Sequence, residues 1–305
     1  MSTTSLTRYL KQALTGDVRP NEPMRRHTTF RIGGPADIFL TCDTLADLSE
    51  AVRACDSEGV PWTVVGKGSN LLVSDDGYRG AILVLGREFK LHSVQEDTIK
   101  AGAACILAYV VRDAFSKGLG GLEFAVGIPG TVGGALAMNA GSRETWMGSV
   151  VESVTLYVPG TGLKRLRGSD ITWTYRDSGL ARAGVIVETV IRLEEADKAQ
   201  IREDMERSLD ARKKSQPLSV PSAGSVFRNP EGDSAGRLIE AAGLKGTRLG
   251  NARVSDVHAN FIVNDGGATA ADVLGLMHKM RMTVRDTYGI ELIPEIRLLG
   301  SFDAA

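Results

Sequence analysis

The residues of this chain that could do chemistry fall into a few clusters. The largest is Gly118-Leu-Gly-Gly-Leu-Glu-Phe-Ala-Val-Gly-Ile-Pro-Gly-Thr-Val-Gly-Gly-Ala-Leu-Ala-Met-Asn-Ala-Gly141, in which eight of 24 residues are glycine and none is lysine or arginine. Glycine lets a backbone turn through positive φ and lets a ligand lie against the peptide plane. Pro129 presets a turn, and Thr131 can cap the short apolar segment behind it. The stretch offers a run of backbone N–H groups, which suits a pyrophosphate without a cationic side chain. The alternative is a glycine-rich connector between packed layers. A second glycine turn of similar character, Gly66-Lys-Gly-Ser-Asn70, weighs toward the ligand. Neither turn is a Rossmann G-x-G-x-x-G: Gly66-x-Gly68 lacks the third glycine, Gly127-x-x-Gly130-x-x-Gly133 does not fit, and no Walker lysine occurs. The pattern predicts a dinucleotide held between two separate loops.

Three smaller clusters carry functional side chains. Thr174-Tyr-Arg-Asp-Ser178 places a cation in a turn after a strand, where the alternative is a surface salt bridge. Pro221-Ser-Ala-Gly-Ser-Val-Phe-Arg-Asn-Pro230 holds Ser225 in a tight turn between prolines; no G-x-S-x-G elbow or adjacent histidine supports a hydrolase. Ile293-Pro-Glu-Ile-Arg-Leu298 sets Glu295 in an apolar strand, either as a paired structural charge or as a positioned acid or base. His27, His92, His258 and His278 lack metal-ligand spacing and are assigned structural or surface roles, His258 with least support, so metal catalysis is not expected.

The elements that must position these clusters follow from periodicity. A short helix occupies residues 1–20 and ends near Gly16, and Arg26–Pro35 is extended, turning at its glycines. Strands are predicted at Ala36–Leu40, Trp62–Val65, Leu71–Val73 and Ala81–Leu85, with an amphipathic helix over Leu45–Glu58 capped by Gly59. Ile99–Ala104 leads into a helix at Ile106–Lys117, and Val150–Tyr157, Leu163–Leu166 and Val185–Leu193 form a β-rich half. The charged helix Ala196–Lys214 marks a domain boundary. Beyond it come a short helix Ser234–Ala242, a strand Ala259–Val263, a helix Thr269–Tyr288 with Asp272 completing its cap, and a strand Glu291–Leu299.

A length of 305 residues suggests about two domains, and 43% apolar with 24% charged residues describes an ordinary globular chain. A net charge of −1 gives no pull toward nucleic acid or anionic membrane. The three cysteines, Cys42, Cys55 and Cys105, read as reduced, semi-buried thiols. Met1–Gly16 lacks a signal-type apolar core, and the longest apolar run, Ala103–Val111, is nine residues, too short to span a bilayer. The expected location is the cytoplasm.

Taken in order from His27-Thr-Thr-Phe-Arg-Ile-Gly-Gly34 to Pro294-Glu-Ile-Arg297, these motifs resemble the UDP-N-acetylenolpyruvoylglucosamine reductases of peptidoglycan synthesis. Each motif alone is weak; the ordered combination spans nearly the whole chain. The resemblance implies an α+β architecture: a two-subdomain FAD-binding fold of the PCMH/vanillyl-alcohol-oxidase type over 1–205 (subdomains about 20–86 and 87–205), then a C-terminal α+β substrate domain over 206–305. It implies FAD loops at Gly66, Lys67, Gly68, Ser69 and Asn70, and at Gly127, Ile128, Pro129, Gly130, Thr131, Gly133 and Gly134 with Asn139 and Gly141. The first loop has no Gly-Gly-His attachment sequence, so the flavin is expected to be non-covalent. NADPH would reduce FAD, and UDP-N-acetylglucosamine enolpyruvate would then receive the hydride at its vinyl methylene carbon to give UDP-N-acetylmuramate.

In that scheme Arg176 pairs with the substrate carboxylate as charge accumulates. Glu295, protonated or hydrogen-bonded, shares that role. Ser225 matches the proton donor, a role that requires neighbours able to stabilise its alkoxide. Lys214, Asn229 and Asn260 are weaker candidates for the UDP moiety. Only Gly179–Val185 separates Ser178 from the next strand, which leaves no room for the inserted tyrosine loop of some members, so the chain resembles the shorter subclass. The competing readings are an FAD-dependent oxidase of the same fold acting on an alcohol or sugar, and a nucleotide-sugar binding protein without chemistry.

Overall fold

In the computed structural model the described residues are 3–142 and 144–302. The terminal ends of the 1–20 and 206–305 ranges (Met1, Ser2 and residues 303–305) lie outside them. The chain opens with helix α1 (Thr3–Ala13) and strands β1 (Val18–Pro23) and β2 (Pro35–Cys42). Helix α2 (Leu45–Ser57) starts at Thr44, whose hydroxyl accepts the Asp47 N–H while the Asp47 carboxylate accepts that of Thr44. It buries Leu48, Ala51, Val52 and Cys55, and Gly59 follows it at φ 65°. Strands β3 (Trp62–Val64), β4 (Leu71–Val73), β5 (Tyr78–Leu85), β6 (His92–Gln95) and β7 (Thr98–Gly102) come next. Helix α3 (Leu107–Lys117) ends at Gly118, and β8 (Leu119–Gly120) precedes the one-and-a-half-turn helix α4 (Val132–Ala137).

Then follow β9 (Val151–Val158), β10 (Gly162–Arg167), the single-turn α5 (Leu180–Ala183), β11 (Val185–Arg192), β12 (Glu194–Glu195) and α6 (Lys198–Ser215). Helix α6 buries Ile201 alone, as its all-round charge demands. The last stretch holds α7 (Ala235–Ala241), β13 (Arg248–Leu249), β14 (Ala252–Val254), β15 (Ile262–Asn264), α8 (Ala270–Tyr288) and β16 (Arg297–Leu299). Helix α8 carries the predicted Thr269–Asp272 reciprocal cap and ends at Gly289 in the left-handed region.

The chain forms two compact units, each discontinuous in sequence and each with its own core. The first comprises the residues up to Pro20, Ile38–Gly66 and Gly80–Arg212. Its centre is an antiparallel sheet in the order β10-β9-β11-β7-β6, against which α3 and α4 pack. Strand β3 runs parallel to β5, pairing Trp62 with Ala81 and Val64 with Leu83. The second unit comprises Asn21–Asp37, Lys67–Arg79 and the chain from Lys213 on. There α8 covers the antiparallel ribbon β13-β14-β15, and β16 pairs in parallel with β4, Arg297 opposite Leu71.

Three local expectations change. The strand expected over Glu291–Leu299 is reduced to β16; Pro294, which has no N–H to donate, only bridges Phe227 before the chain moves on to β4. The strand expected at Ala259–Val263 begins at Ile262, because His258–Phe261 closes as a turn through the Phe261 N–H and the His258 carbonyl, 2.9 Å. Strand β6 and the β13–β14 hairpin are added; the latter is two or three residues a side around Gly250-Asn251, too short for an alternating pattern. Among the described residues no helix is long and apolar enough to cross a membrane.

Candidate active site

In the first unit Gly66, the head of one glycine turn, meets the other turn at Thr131. A Cβ on Gly66 would stand 2.8 Å from Thr131 Oγ1, so a glycine is what lets the loops approach. Thr131 itself is fixed as the cap of α4, its hydroxyl accepting the Gly134 N–H at 3.2 Å. Not every N–H of the long loop is available to a ligand. Val132 donates to the Cys105 carbonyl, Gly133 to that of Ala103 and Ile128 to that of Ala125. Among the described residues, the N–H groups of Gly66, Gly130 and Thr131 donate to no protein acceptor. That cradle of neutral donors at a glycine-lined approach fits a dinucleotide pyrophosphate.

The far end of the long loop is tied to the arginine turn. Asn139, at φ 41°, donates from Nδ2 to the Thr174 carbonyl at 3.0 Å and accepts the Gly148 N–H on Oδ1 at 3.0 Å. Thr174 and Asp177 close a tight turn with Arg176 at φ 60°. A non-glycine residue held there is strained, and the turn is what aims it. Arg176 Nη1 donates to the Gly141 carbonyl at 2.9 Å, and its guanidinium lies 5.2 Å from the Tyr175 ring centre. Asp177 pairs with Arg182 at 2.7 Å, so a salt bridge of this cluster lies at the turn itself. Ser178 to β11 is bridged by α5 alone.

Sequence reasoning passed over Arg212. This half-buried side chain reaches the Phe124 carbonyl at 3.4 Å and packs beside Gly127. Burial, and after it the charge of Arg176, lowers its pKa. The only signal was an arginine at the end of a run that reads as a solvated charged helix.

In the second unit Ser225, Asn260, Glu295 and Asn70 are brought together by backbone pairing. The segment Ser225–Phe227 lies between two others. On one side Ser225 bridges Phe261 and the Val226 N–H donates to the Asn260 carbonyl at 2.8 Å. On the other side the Glu295 N–H donates to the Val226 carbonyl at 2.8 Å. Asn70 joins from the first glycine turn, its Nδ2 donating to the Glu295 carbonyl at 3.2 Å while its own carbonyl accepts the Arg297 N–H at 3.1 Å. Gly68 is closed over by His27 and Thr28, and Thr29 Oγ1 donates to the Ser222 carbonyl at 2.7 Å.

The remaining candidates differ in placement. Asn260 is fully buried; its Oδ1 accepts the Phe227 N–H at 3.0 Å and its Nδ2 donates to the Phe227 carbonyl at 2.8 Å. Both ends of that amide hold the serine segment. Asn229 is exposed and accepts the Ala235 N–H at the start of α7, 3.1 Å, while Lys214 is exposed on the last turn of α6. Nε of Arg228 is buried without an acceptor, an arrangement that suits an anion. The described residues hold no cluster of metal-ligating side chains.

Residues 36–163 match the family described as FAD binding domain, and residues 216–299 match the C-terminal domain of UDP-N-acetylenolpyruvoylglucosamine reductase. The UDP-N-acetylenolpyruvoylglucosamine reductase of Heliobacterium modesticaldum is 48% identical over 287 residues, 93% of this chain and 91% of the relative. That of Bacillus subtilis (strain 168) is 42% identical over 297 residues, 95% of this chain and 97% of the relative. Among solved structures, the UDP-N-acetylenolpyruvylglucosamine reductase of Thermus caldophilus is 35% identical, with a TM-score of 0.82 over 94% of this chain and 99% of that one.

Proposed function

The chain belongs to the UDP-N-acetylenolpyruvoylglucosamine reductases, and from that premise we infer which of its residues carry the reaction. The protein is an FAD-containing, NADPH-dependent oxidoreductase that reduces UDP-N-acetylglucosamine enolpyruvate to UDP-N-acetylmuramate in peptidoglycan precursor synthesis. When bound, FAD takes hydride from NADPH and delivers it to the methylene carbon of the enolpyruvyl group. Residues 1–205 serve the cofactor and 206–305 the substrate, a reading supported by the two family matches. The N–H groups of Gly66, Gly130 and Thr131 hold the pyrophosphate, while Gly133, where a Cβ would come within 2.9 Å of that of Ala103, lets the start of α4 pack closely behind them. Asn139 and Gly141 tie that loop to the arginine turn.

Hydride addition leaves negative charge on the substrate carboxylate as an enolate. Arg176, held at one guanidinium nitrogen by Gly141, stabilises that charge with its permanent cation. Glu295 hydrogen-bonds the same group. Ser225 Oγ gives its proton to the carbon that bears the carboxylate, and the alkoxide left behind regains a proton from water. The observation that supports this assignment best is the register of Ser225–Phe227 against Asn260 on one side and Glu295 on the other. Arg228, Asn229 and Lys214 serve the diphosphate and uridine, a reading supported for Arg228 by its buried Nε without an acceptor. The three buried free thiols agree with work in the reducing cytoplasm.

The test is the visible spectrum of the purified protein under anaerobic NADPH, followed by the enolpyruvyl substrate. Bleaching and then recovery of the yellow flavin is expected. Bleaching without recovery points instead to an oxidase of the same fold.

A further inference from the structure

His258 is assigned nothing by the reaction, yet it stands at the base of the segment that holds Ser225. Its Nδ1 accepts the Asn260 N–H at 3.1 Å. A backbone N–H only donates, so Nδ1 is unprotonated and the neutral ring carries its hydrogen on Nε2. The turn around it is built from side chains: Ser255 Oγ accepts the N–H groups of Val257 and His258 at 3.1 and 3.4 Å. Asn260 then clamps Val226 and Phe227 through three bonds, and Phe261 bridges Ser225. The imidazole is wedged between Phe261, ring centres 5.0 Å apart, and Gly236 of α7, where a Cβ would come within 2.8 Å of Cε1.

We propose that His258 is a positioning residue for the proton transfer by Ser225: as neutral imidazole it fixes Asn260, and Asn260 sets the register of Ser225. The inference rests on the assignment of Ser225 as proton donor. Protonation of His258 would set an Nδ1–H against the Asn260 N–H and break the clamp at its base. The charged groups acting on the ring are Lys245 and Glu240, which pair with each other at 2.7 Å; on its own turn Asp256 is taken up by Arg253. Burial first, then Lys245, lowers the His258 pKa, which keeps the accepting form at neutral pH.

Two substitutions separate this role from plain packing. In His258→Asn the amide oxygen takes the place of Nδ1 and cannot titrate; in His258→Gln the acceptor moves to the Nε2 position. On the flavin-loaded enzyme, H258Q is expected to slow flavin reoxidation by the enolpyruvyl substrate roughly ten- to hundred-fold, the scale of small misplacements of a reacting group. Its reduction by NADPH is expected to stay at the wild-type rate. H258N is expected to recover most of the lost rate and to lose the acid limb expected of wild type, which lies below the ordinary histidine range because the His258 pKa is lowered. Nitrogen NMR of the ring should show Nδ1 bare and Nε2 protonated at neutral pH. Equal rates in H258Q and wild type, an equal fall in both half-reactions, or a ring protonated on Nδ1 would each overturn the proposal. Ser225→Ala measured alongside isolates the premise: if it reoxidises normally, the donor assignment fails; if it is slow while H258Q is normal, only the role of His258 fails.

Discussion

Ser225 carries an ordinary hydroxyl, so its use as an acid has to come from where it is held. The segment that carries it is pinned on both edges by backbone bonds, and its neighbour Phe227 is locked by the Asn260 amide. Little of that clamp touches Ser225 Oγ, which means the hydroxyl can be removed without unfolding the segment. Ser225→Ala is therefore expected to leave flavin reduction by NADPH within about two-fold of wild type and to slow reoxidation by the enolpyruvyl substrate by roughly 10²–10⁴, the usual range for a lost general acid. Single-turnover absorbance of the two half-reactions measures both. An equal loss in both would make Ser225 a structural residue. Arg176 shows the opposite economy. Its backbone sits at positive φ and its side chain bonds the glycine loop, so strain and charge are placed at the same residue.

At the scale of elements, the cofactor half of the site is the meeting of a strand end with a helix start. Gly66 follows β3 and Thr131 caps α4, and their closeness depends on the missing Cβ. Gly66→Ala has no forbidden backbone angle to overcome, only the contact with Thr131 Oγ1. FAD affinity, read by flavin fluorescence titration, is expected to fall at least about ten-fold, the equivalent of about 1.4 kcal/mol. Adding Thr131→Ala relieves the contact and should restore part of the affinity, while the lost cap lowers stability by about 1 kcal/mol. An unchanged affinity in G66A would remove this contact from the site. Much of this was legible in the sequence: α2, α3 and α8 were readable from caps and periodicity, and Thr131 from its place before an apolar run. The rest was not, for physical reasons. Strand β6 alternates weakly, the β13–β14 hairpin is too short to show a period, and Pro294 hid a break inside an apolar run. The role of Asn260 was hidden because a side chain clamped onto backbone leaves no spacing pattern, and that of Arg212 because a charged helix masks one buried member.

For the whole molecule, the two cores mean that one half of the chain can be watched by itself. Cys42, Cys55 and Cys105 all lie in the core of the first unit, as do the partly buried Trp62 and Trp173 at its margin. Burial pushes the thiol of Cys42 up to about 12 and that of Cys55 up to about 11, with nearby carboxylates adding to both. In the unfolded chain these thiols ionise near 9.0, so above that pH the unfolded state has lost protons that the folded state still holds. The sign follows: their contribution to stability is intact below pH 9 and is lost as pH rises through 9 toward 11 and 12, by up to about 1.4 kcal/mol per pH unit for each group. Urea melts followed by tryptophan emission should show midpoints that fall over pH 9 to about 10.5 more steeply in wild type than in Cys42→Ala/Cys55→Ala. Thiol labelling with an aromatic disulfide at pH 8 should be slow in the native protein and should rise with the same urea midpoint as the tryptophan signal. Labelling of Cys55, the thiol on α2, well before that midpoint would show α2 opening ahead of the sheet, and parallel alkaline slopes in the two proteins would mean that the buried thiols do not set the alkaline limit.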